Sequence, residues 1–277
     1  MKLKLIYTSL FFTCIYFYGS AQLEEGIVIK NSTQVLEFYL ADDNSLNAKL
    51  KVNLTVNSEE ANKKFILPIF YNSFTSVSEI SRKVNNKRAK KYSRTSDYES
   101  DGIFHSDLKV SWLETYFEEA GDEVNFNYEK IFKDVKFLDP LYFRKPYKVD
   151  ASTIKIIKPS WLDLGIEEFN FSNASVTKNE VYKDGNFIYQ FAQNDLDPFN
   201  RLPNAPGRNK LNAHVILVPK AVEQNGESKE YFKSTQSLYN WYASLVKLID
   251  NDNSQLTSLV KRLTSALISW PCLYNLH

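Results

Sequence analysis

Apolar and polar residues alternate at a period of two over roughly two hundred positions of this 277-residue chain, a period that puts successive side chains on opposite faces of β-strands. The alternation is clearest at Leu50, Val52, Leu54 and Val56, separated by Lys51, Asn53 and Thr55, which predicts a strand buried on one face. Leu108, Val110 and Trp112 alternate with Lys109 and Ser111 in the same way, and Val124, Phe126 and Tyr128 with Asn125, Asn127 and Glu129. Between these two runs, residues 118–122 include Gly121 and read as a hairpin connection. A second hairpin is predicted at Lys183-Asp184-Gly185-Asn186, because Asp-Gly supplies the positive φ angles of a tight turn. Residues 154–157 and 215–218 are short apolar runs rich in β-branched side chains, as expected of strands covered on both faces. Many short strands separated by turn signals predict a mostly β chain whose antiparallel sheets pack as a sandwich.

Near Ser234 the period changes to that of a helix. Ser234 can cap a helix in which Leu238, Trp241, Tyr242, Leu245 and Ile249 recur every three or four residues. Asn253 or Ser254 can cap a second helix with Leu256, Leu259, Val260 and Leu263 on one face, and the link Asp250-Asn251-Asp252 is short enough to set the pair antiparallel. Two irregular stretches interrupt the strands. Residues 139–147 mix Tyr142, Phe143 and Tyr147 with Arg144 and Lys145, and residues 195–208 carry Pro198, Pro203 and Pro206, which cannot donate to a ladder.

The first residues read as an export signal. Lys2 and Lys4 precede an apolar run over residues 5–18, and the small residues Gly19, Ser20 and Ala21 follow. The run is shorter than the about 20 residues of a membrane span. Cleavage after Ala21 removes two of 34 basic residues and none of 33 acidic ones, leaving a net charge of −1 and a periplasmic or secreted chain with no further span. Such a balance does not point to nucleic acid. Cys14 leaves with the signal, so Cys272 alone remains, no intramolecular disulfide forms, and stability must come from burial and ladder bonds.

Several patterns suggest chemistry, and each has a plainer account. A lone thiol such as Cys272 can act as a nucleophile, but His105, His214 and His277 carry no recognisable spacing to it. Asp250-x-Asp252-x-Ser254 begins like a calcium loop, yet Gln255 stands where the loop needs Gly and Lys261 where it needs Glu. The basic stretch Arg82, Lys83, Lys87, Arg88, Lys90, Lys91 and Arg94 would hold an anionic envelope polymer by summed charge. Its plainer account is a solvated hairpin turning at Asn85-Asn86, with lysines blunting a sheet edge. Paired acids at Glu118-Glu119 and Glu167-Glu168, with Asp195 and Asp197, invite a glycosidase reading, which requires two carboxylates at a set separation. Adjacent acids more often form a solvated face. Trp112, Trp161 and Trp241 would build a sugar or peptide platform if exposed, whereas their spacing assigns Trp112 and Trp241 to apolar core faces.

Diffuse motifs add a family resemblance. Residues 97–107 (Asp97-Tyr98-Glu99-Ser100-Asp101-Gly102-Ile103-Phe104-His105-Ser106-Asp107), Phe132-Lys133-Asp134, residues 143–149, Ile154-Lys155-Ile156-Ile157-Lys158-Pro159, residues 203–206 and Tyr239-Asn240-Trp241-Tyr242 together resemble the DUF3857 domain of exported bacterial proteins, especially those of Bacteroidetes. The resemblance covers roughly residues 27–264 and implies an immunoglobulin-like β-sandwich that commonly precedes a transglutaminase-like domain with a Cys, His, Asp triad. Cys272 in Trp270-Pro271-Cys272-Leu273 does not match the Gly-Asp-Cys-Lys surround of that triad, so no catalytic, cofactor-binding or metal-ligating residue is carried over. The expected organisation is a signal peptide over residues 1–21, a DUF3857-like sandwich over 22–232, and over 233–277 two helices and the truncated start of a missing catalytic domain. The expected function is that of an exported, non-catalytic module with a binding or scaffolding role toward a protein or an anionic envelope polymer, or that of a truncated remnant, needing no cofactor. The competing expectation is a periplasmic hydrolase or thiol enzyme acting on peptide or glycan.

Overall fold

The computed structural model describes residues 25–85, 87–88, 93–98, 107–199, 206–224, 226–247 and 257–262. Its strands, in chain order, are β1 (Ile27–Leu40), β2 (Leu46–Ser58), β3 (Lys63–Tyr71), β4 (Thr75–Val84), β5 (Lys87–Arg88), β6 (Ser93–Asp97), β7 (Lys109–Phe117) and β8 (Glu123–Phe132). There follow β9 (Leu141–Tyr142), β10 (Lys148–Pro159), β11 (Leu162–Phe169), β12 (Thr177–Lys183) and β13 (Asn186–Leu196). A single helical turn, α1 (Arg208–Leu211), leads to β14 (His214–Gln224), β15 (Glu227–Glu230) and the helix α2 (Thr235–Lys247).

The chain is mostly β, as its alternation predicts. One sheet has the order β12-β13-β10-β1-β2-β8-β4-β5, a second the order β3-β7-β6, and in a third β11-β14-β15 is joined by β9 pairing β14. Two compact units are present: residues up to Ser160 with Ile166–Leu217, and Trp161–Gly165 with residues from Val218 onward, so the division falls within β11 and β14.

In the first unit, β2 buries Leu46, Ala48, Leu50, Val52, Leu54 and Val56 on one face, which is the predicted pattern. The Lys183-to-Asn186 turn joins β12 to β13, with Asp184 at φ 50° and Gly185 at φ 76°. The basic segment also turns where expected: Lys83 and Val84 of β4 oppose Arg88 and Lys87 of β5, with Asn85 at φ 45°.

Three details differ from expectation. First, β1 pairs β10 in parallel, while the other pairs of the large sheet are antiparallel. A parallel pair requires a long crossover, and the chain travels from Leu40 to Lys148 between these strands. Second, β7 and β8 do not form a hairpin, because β7 pairs β3 and β6 whereas β8 pairs β2 and β4. The connection at Gly121 carries the chain from one sheet to the other. Third, from Ser111 onward β7 buries its odd positions, Ser111, Leu113, Thr115 and Phe117, so Trp112 lies half-buried on the opposite face. There Arg94 sits 5.9 Å from its ring centroid.

The two sheets of the first unit meet at Phe65. Its fully buried ring stacks on Phe126 of β8 at 5.4 Å and on Tyr147 at 4.9 Å. The Tyr147 hydroxyl accepts from the Ile66 N–H and donates to the Ile66 carbonyl, both at 3.0 Å. Since β3 is an edge strand, that hydroxyl replaces the ladder partner Ile66 lacks on its outer side. A buried cation lies near by: Lys130, 6% exposed, pairs with Asp139 at 2.6 Å and donates to the Phe70 carbonyl at 2.7 Å.

In the second unit, Ser234 caps α2 as predicted, its hydroxyl accepting from the Ser237 N–H at 3.2 Å. Trp241 packs edge-on against Phe232 at 5.3 Å. None of the α2 residues is fully buried, so its apolar stripe is not the core face that the spacing suggests. Residues 257–262 are also helical, with Leu259 and Val260 exposed; Leu256 and Leu263 lie outside the described residues.

Phe65→Ala should lower unfolding free energy by about 4 kcal/mol, from lost burial plus an unfilled cavity. Tyr147→Phe should cost about 2 kcal/mol, because it orphans two backbone groups while keeping the ring. Urea denaturation of the two variants beside the parent checks both values.

Candidate functional site

The two irregular stretches flagged by composition come together in the first unit. Gln34 of β1 donates to the Tyr142 carbonyl at 3.0 Å, and Ser152 of β10 to the Phe143 carbonyl at 3.1 Å. Arg208 Nη2 donates to the Arg144 carbonyl at 3.1 Å across 64 residues of sequence, and the Phe199 N–H donates to the Lys145 carbonyl at 2.9 Å. Four successive carbonyls, 142 to 145, are thus held by four different elements. A segment whose only strand is the two-residue β9 satisfies its backbone in this way.

Above this frame the side chains form a cationic and aromatic cluster. The Arg208 guanidinium lies 3.7 Å from the Tyr142 ring centroid and 5.7 Å from that of Phe199. His214, opposite Tyr142 in register, is buried and stacks on both Tyr142 at 4.8 Å and Phe169 at 5.0 Å. Its Nδ1 lies 2.8 Å from the Asn212 carbonyl oxygen, which can only accept, so Nδ1 carries the proton. The same carbonyl accepts from Asn170 Nδ2 at 3.0 Å.

Electrostatics mark this cluster. Burial, reinforced by the Arg208 charge, pushes the Lys145 ammonium down to about 8. Burial also lowers Arg208, with Tyr142 opposing, and raises Tyr142, with Arg208 opposing. Among the described residues no carboxylate forms an ion pair with Arg144, Lys145 or Arg208. Among the described residues, Arg208 Nε and both ends of the buried Asn212 amide have no hydrogen-bond partner.

A second feature of the same unit is an open groove of about 340 Å³ beside β12, lined by Ile166 and Glu168 of β11, Lys178, Asn179 and Glu180 of β12, and Tyr189 and Phe191 of β13. Glu168 pairs with Lys178, whose ammonium lies 5.2 Å from the Phe171 ring. Tyr189, directly opposite Glu180, is raised by burial and by the Glu180 charge and hydrogen bond. β12 forms one end of the large sheet, and all seven of its residues are exposed, including Val181 and Tyr182, the latter 60% exposed.

The other sequence candidates are dispersed. Cys272, His105, His277, Asp250, Asp252 and Ser254 lie outside the described residues, as do residues 1–21 and Lys90 and Lys91. Of the acids, Glu118 and Glu119 sit on the connection after β7, Glu167 and Glu168 at the end of β11, and Asp195 and Asp197 at the end of β13. Among the described residues no three His, Cys, Asp or Glu gather to hold a metal ion. The basic segment is divided by its contacts. Arg82 donates to the Glu114 carbonyl at 3.3 Å and Arg94 faces Trp112, while Lys83 and Lys87 are exposed. Asn85 Nδ2 pins the turn to Asp122 at 3.0 Å, holding that carboxyl below its ordinary range. Sequence reasoning missed the roles of His214, Asn212 and Lys130, because stacking and pairing across distant segments leave no local signal. The bulky and basic composition of residues 142–147 was the one clue.

No family model matches the chain, and no curated protein matches it. Among solved structures, the chain is similar to a putative protease from Parabacteroides distasonis, with 13% identity, a TM-score of 0.52, and coverage of 69% of this chain and 40% of that one. It also matches an M1 zinc metallopeptidase from Deinococcus radiodurans, with 10% identity, a TM-score of 0.35, and coverage of 75% and 47%. The first likeness is one of fold, over less than half the length of the Parabacteroides protein. Among the described residues, no helix is long and apolar enough to cross a membrane.

Lys145 should titrate near pH 8 in the folded chain and near 10.5 when unfolded. The unfolded state then binds more protons between these values, so stability gains from this group as pH rises through that window. NMR titration of isotope-labelled lysines should show one midpoint near 8, moving upward in Arg208→Gln as the neighbouring charge is removed. A Lys145→Met variant should lack the corresponding rise in urea midpoint relative to the parent.

Proposed function

We propose that the chain is an exported, non-catalytic β module, of the kind that the DUF3857 resemblance describes, and that it holds an extended protein segment along β12. The observation that carries the binding role is the exposed edge strand with a groove at its side. An edge strand offers unpaired N–H and C=O groups to an incoming chain, and side-chain pockets beside it select sequence. Here Ile166 and Phe191 provide apolar lining, while the Glu168–Lys178 pair and the Tyr189–Glu180 hydrogen bond provide polar fixtures at defined places. Val181 and Tyr182 add exposed apolar surface on the same strand. The composition of residues 1–21 supports export, since it joins a basic start, an apolar run and a small-residue site.

Peptides selected from a random display library against the full chain, then measured by fluorescence anisotropy, test this reading. The expected result is saturable binding weakened at least about tenfold by the double change Val181→Lys and Tyr182→Lys, since charge on an edge opposes strand addition. Amide exchange in β12 should slow when peptide is bound. Peptides that bind equally well to the variant and leave β12 exchange unchanged would refute the site. Turnover of peptide amides or glycans by the parent, lost on Cys272→Ala or on a single acid-to-amide change, would refute the non-catalytic role.

A further inference from the structure

We propose that the segment taken up along β12 belongs to a partner protein and sets a lysine or arginine opposite Glu180 and, two positions away, an aromatic or β-branched residue opposite Tyr182, an inference that rests on the strand addition proposed above. The backbone decides which residues of β12 meet that partner. Lys183 and Asn186 flank the two-residue turn at Asp184-Gly185, and residues so placed bond to each other. Hydrogen-bonded pairs then recur at every second residue, so Thr177, Asn179 and Val181 direct their backbone groups at β13. Lys178, Glu180 and Tyr182 turn theirs toward the open edge, where β12 has no neighbouring strand among the described residues.

The side chains of those three residues share one face of the sheet. Lys178 lies opposite Phe191, Glu180 opposite Tyr189 and Tyr182 opposite Phe187. Lys178 and Glu180 line the groove, and the exposed Tyr182 ring tilts on Phe187 at 4.8 Å. Two cations of this face are already engaged, Lys178 with Glu168 and Lys158 at 4.5 Å from the Phe187 ring centroid. Glu180 is exposed and forms no ion pair among the described residues, while the Tyr189 hydroxyl hydrogen-bonds to it without neutralising it. The groove lining therefore sets two carboxylates, Glu168 and Glu180, against one ammonium, that of Lys178. A residue directly opposite Glu180 in an added strand comes close enough to interact, so a cation is favoured there and an acid disfavoured. Two positions along, the pleat brings the next partner side chain of that face onto Tyr182, where an aromatic or β-branched residue extends the contact between Tyr182 and Phe187.

The test titrates short threonine and serine peptides into the full chain at low salt, each carrying a tyrosine and, two positions before or after it, a lysine, a glutamine or a glutamate. Binding is read by fluorescence anisotropy and occupancy of the edge by amide exchange in β12. The lysine peptide should bind about tenfold more tightly than the glutamate peptide, since one gains attraction and the other meets repulsion, and high salt should narrow the difference. Glu180→Lys should reverse that order, and Glu180→Gln should bring the two peptides within about threefold of each other. Glu180 is exposed, so both variants should keep the parent's far-UV circular dichroism. Peptides that all slow exchange in β12 yet bind alike, or an order that survives Glu180→Lys, would overturn this inference and leave strand addition standing. If no peptide binds and exchange in β12 is unchanged, strand addition fails and the partner chemistry fails with it. Self-association that protects β12 without peptide, and is lost on the double change Val181→Lys and Tyr182→Lys, would give the edge to a second copy of the chain and overturn the inference as well.

Discussion

The first unit depends on one packed ring. Phe65 reaches from an edge strand of the three-stranded sheet, β3, to Phe126 in the large sheet, and the same ring meets Tyr147. Face contact alone leaves two sheets free to slide, because apolar burial is not directional. Tyr147 removes that freedom by adding two hydrogen bonds to Ile66, the residue next to Phe65. One aromatic pair thus provides burial, and one hydroxyl provides register.

The same residue closes the loop that carries the cationic cluster. Residues 139–147 are clamped at one end by the Lys130 bond to Asp139 and at the other by Tyr147. Between the clamps, Gln34, Ser152, Arg208 and Phe199 hold successive carbonyls. A segment with only a two-residue strand, β9, is in this way as constrained as a ladder. The Tyr142 ring is placed in the same way, stacked on His214 at 4.8 Å with the Arg208 guanidinium 3.7 Å from its centroid.

Period-two reading was accurate where a strand has one clearly apolar face, as in β2, and where a turn needs particular residues, as at Asp184-Gly185 and Asn85. It erred in part on β7, where Val110 is buried as expected but Ser111 and Thr115 are buried and polar, so the apolar letter of Trp112 pointed to the wrong face. It also erred on partners. Alternation says which side chains share a face but not which strand lies alongside, so neither the parallel β1 and β10 pair nor the crossing from β7 to β8 was legible. The cluster was half legible: aromatic and basic composition marked residues 142–147, and proline marked 195–208, but the 64-residue bond that joins them is a tertiary fact. His214 has no recognisable spacing to Cys272 in the sequence, and its place is fixed by stacking on Tyr142 and Phe169.

Charge sets two lysines of this region apart. Lys130 is buried, and Asp139 and the Phe70 carbonyl both meet its ammonium, so it belongs to the architecture. Lys145 meets no carboxylate among the described residues, and burial first, then the Arg208 charge, lower its affinity for a proton.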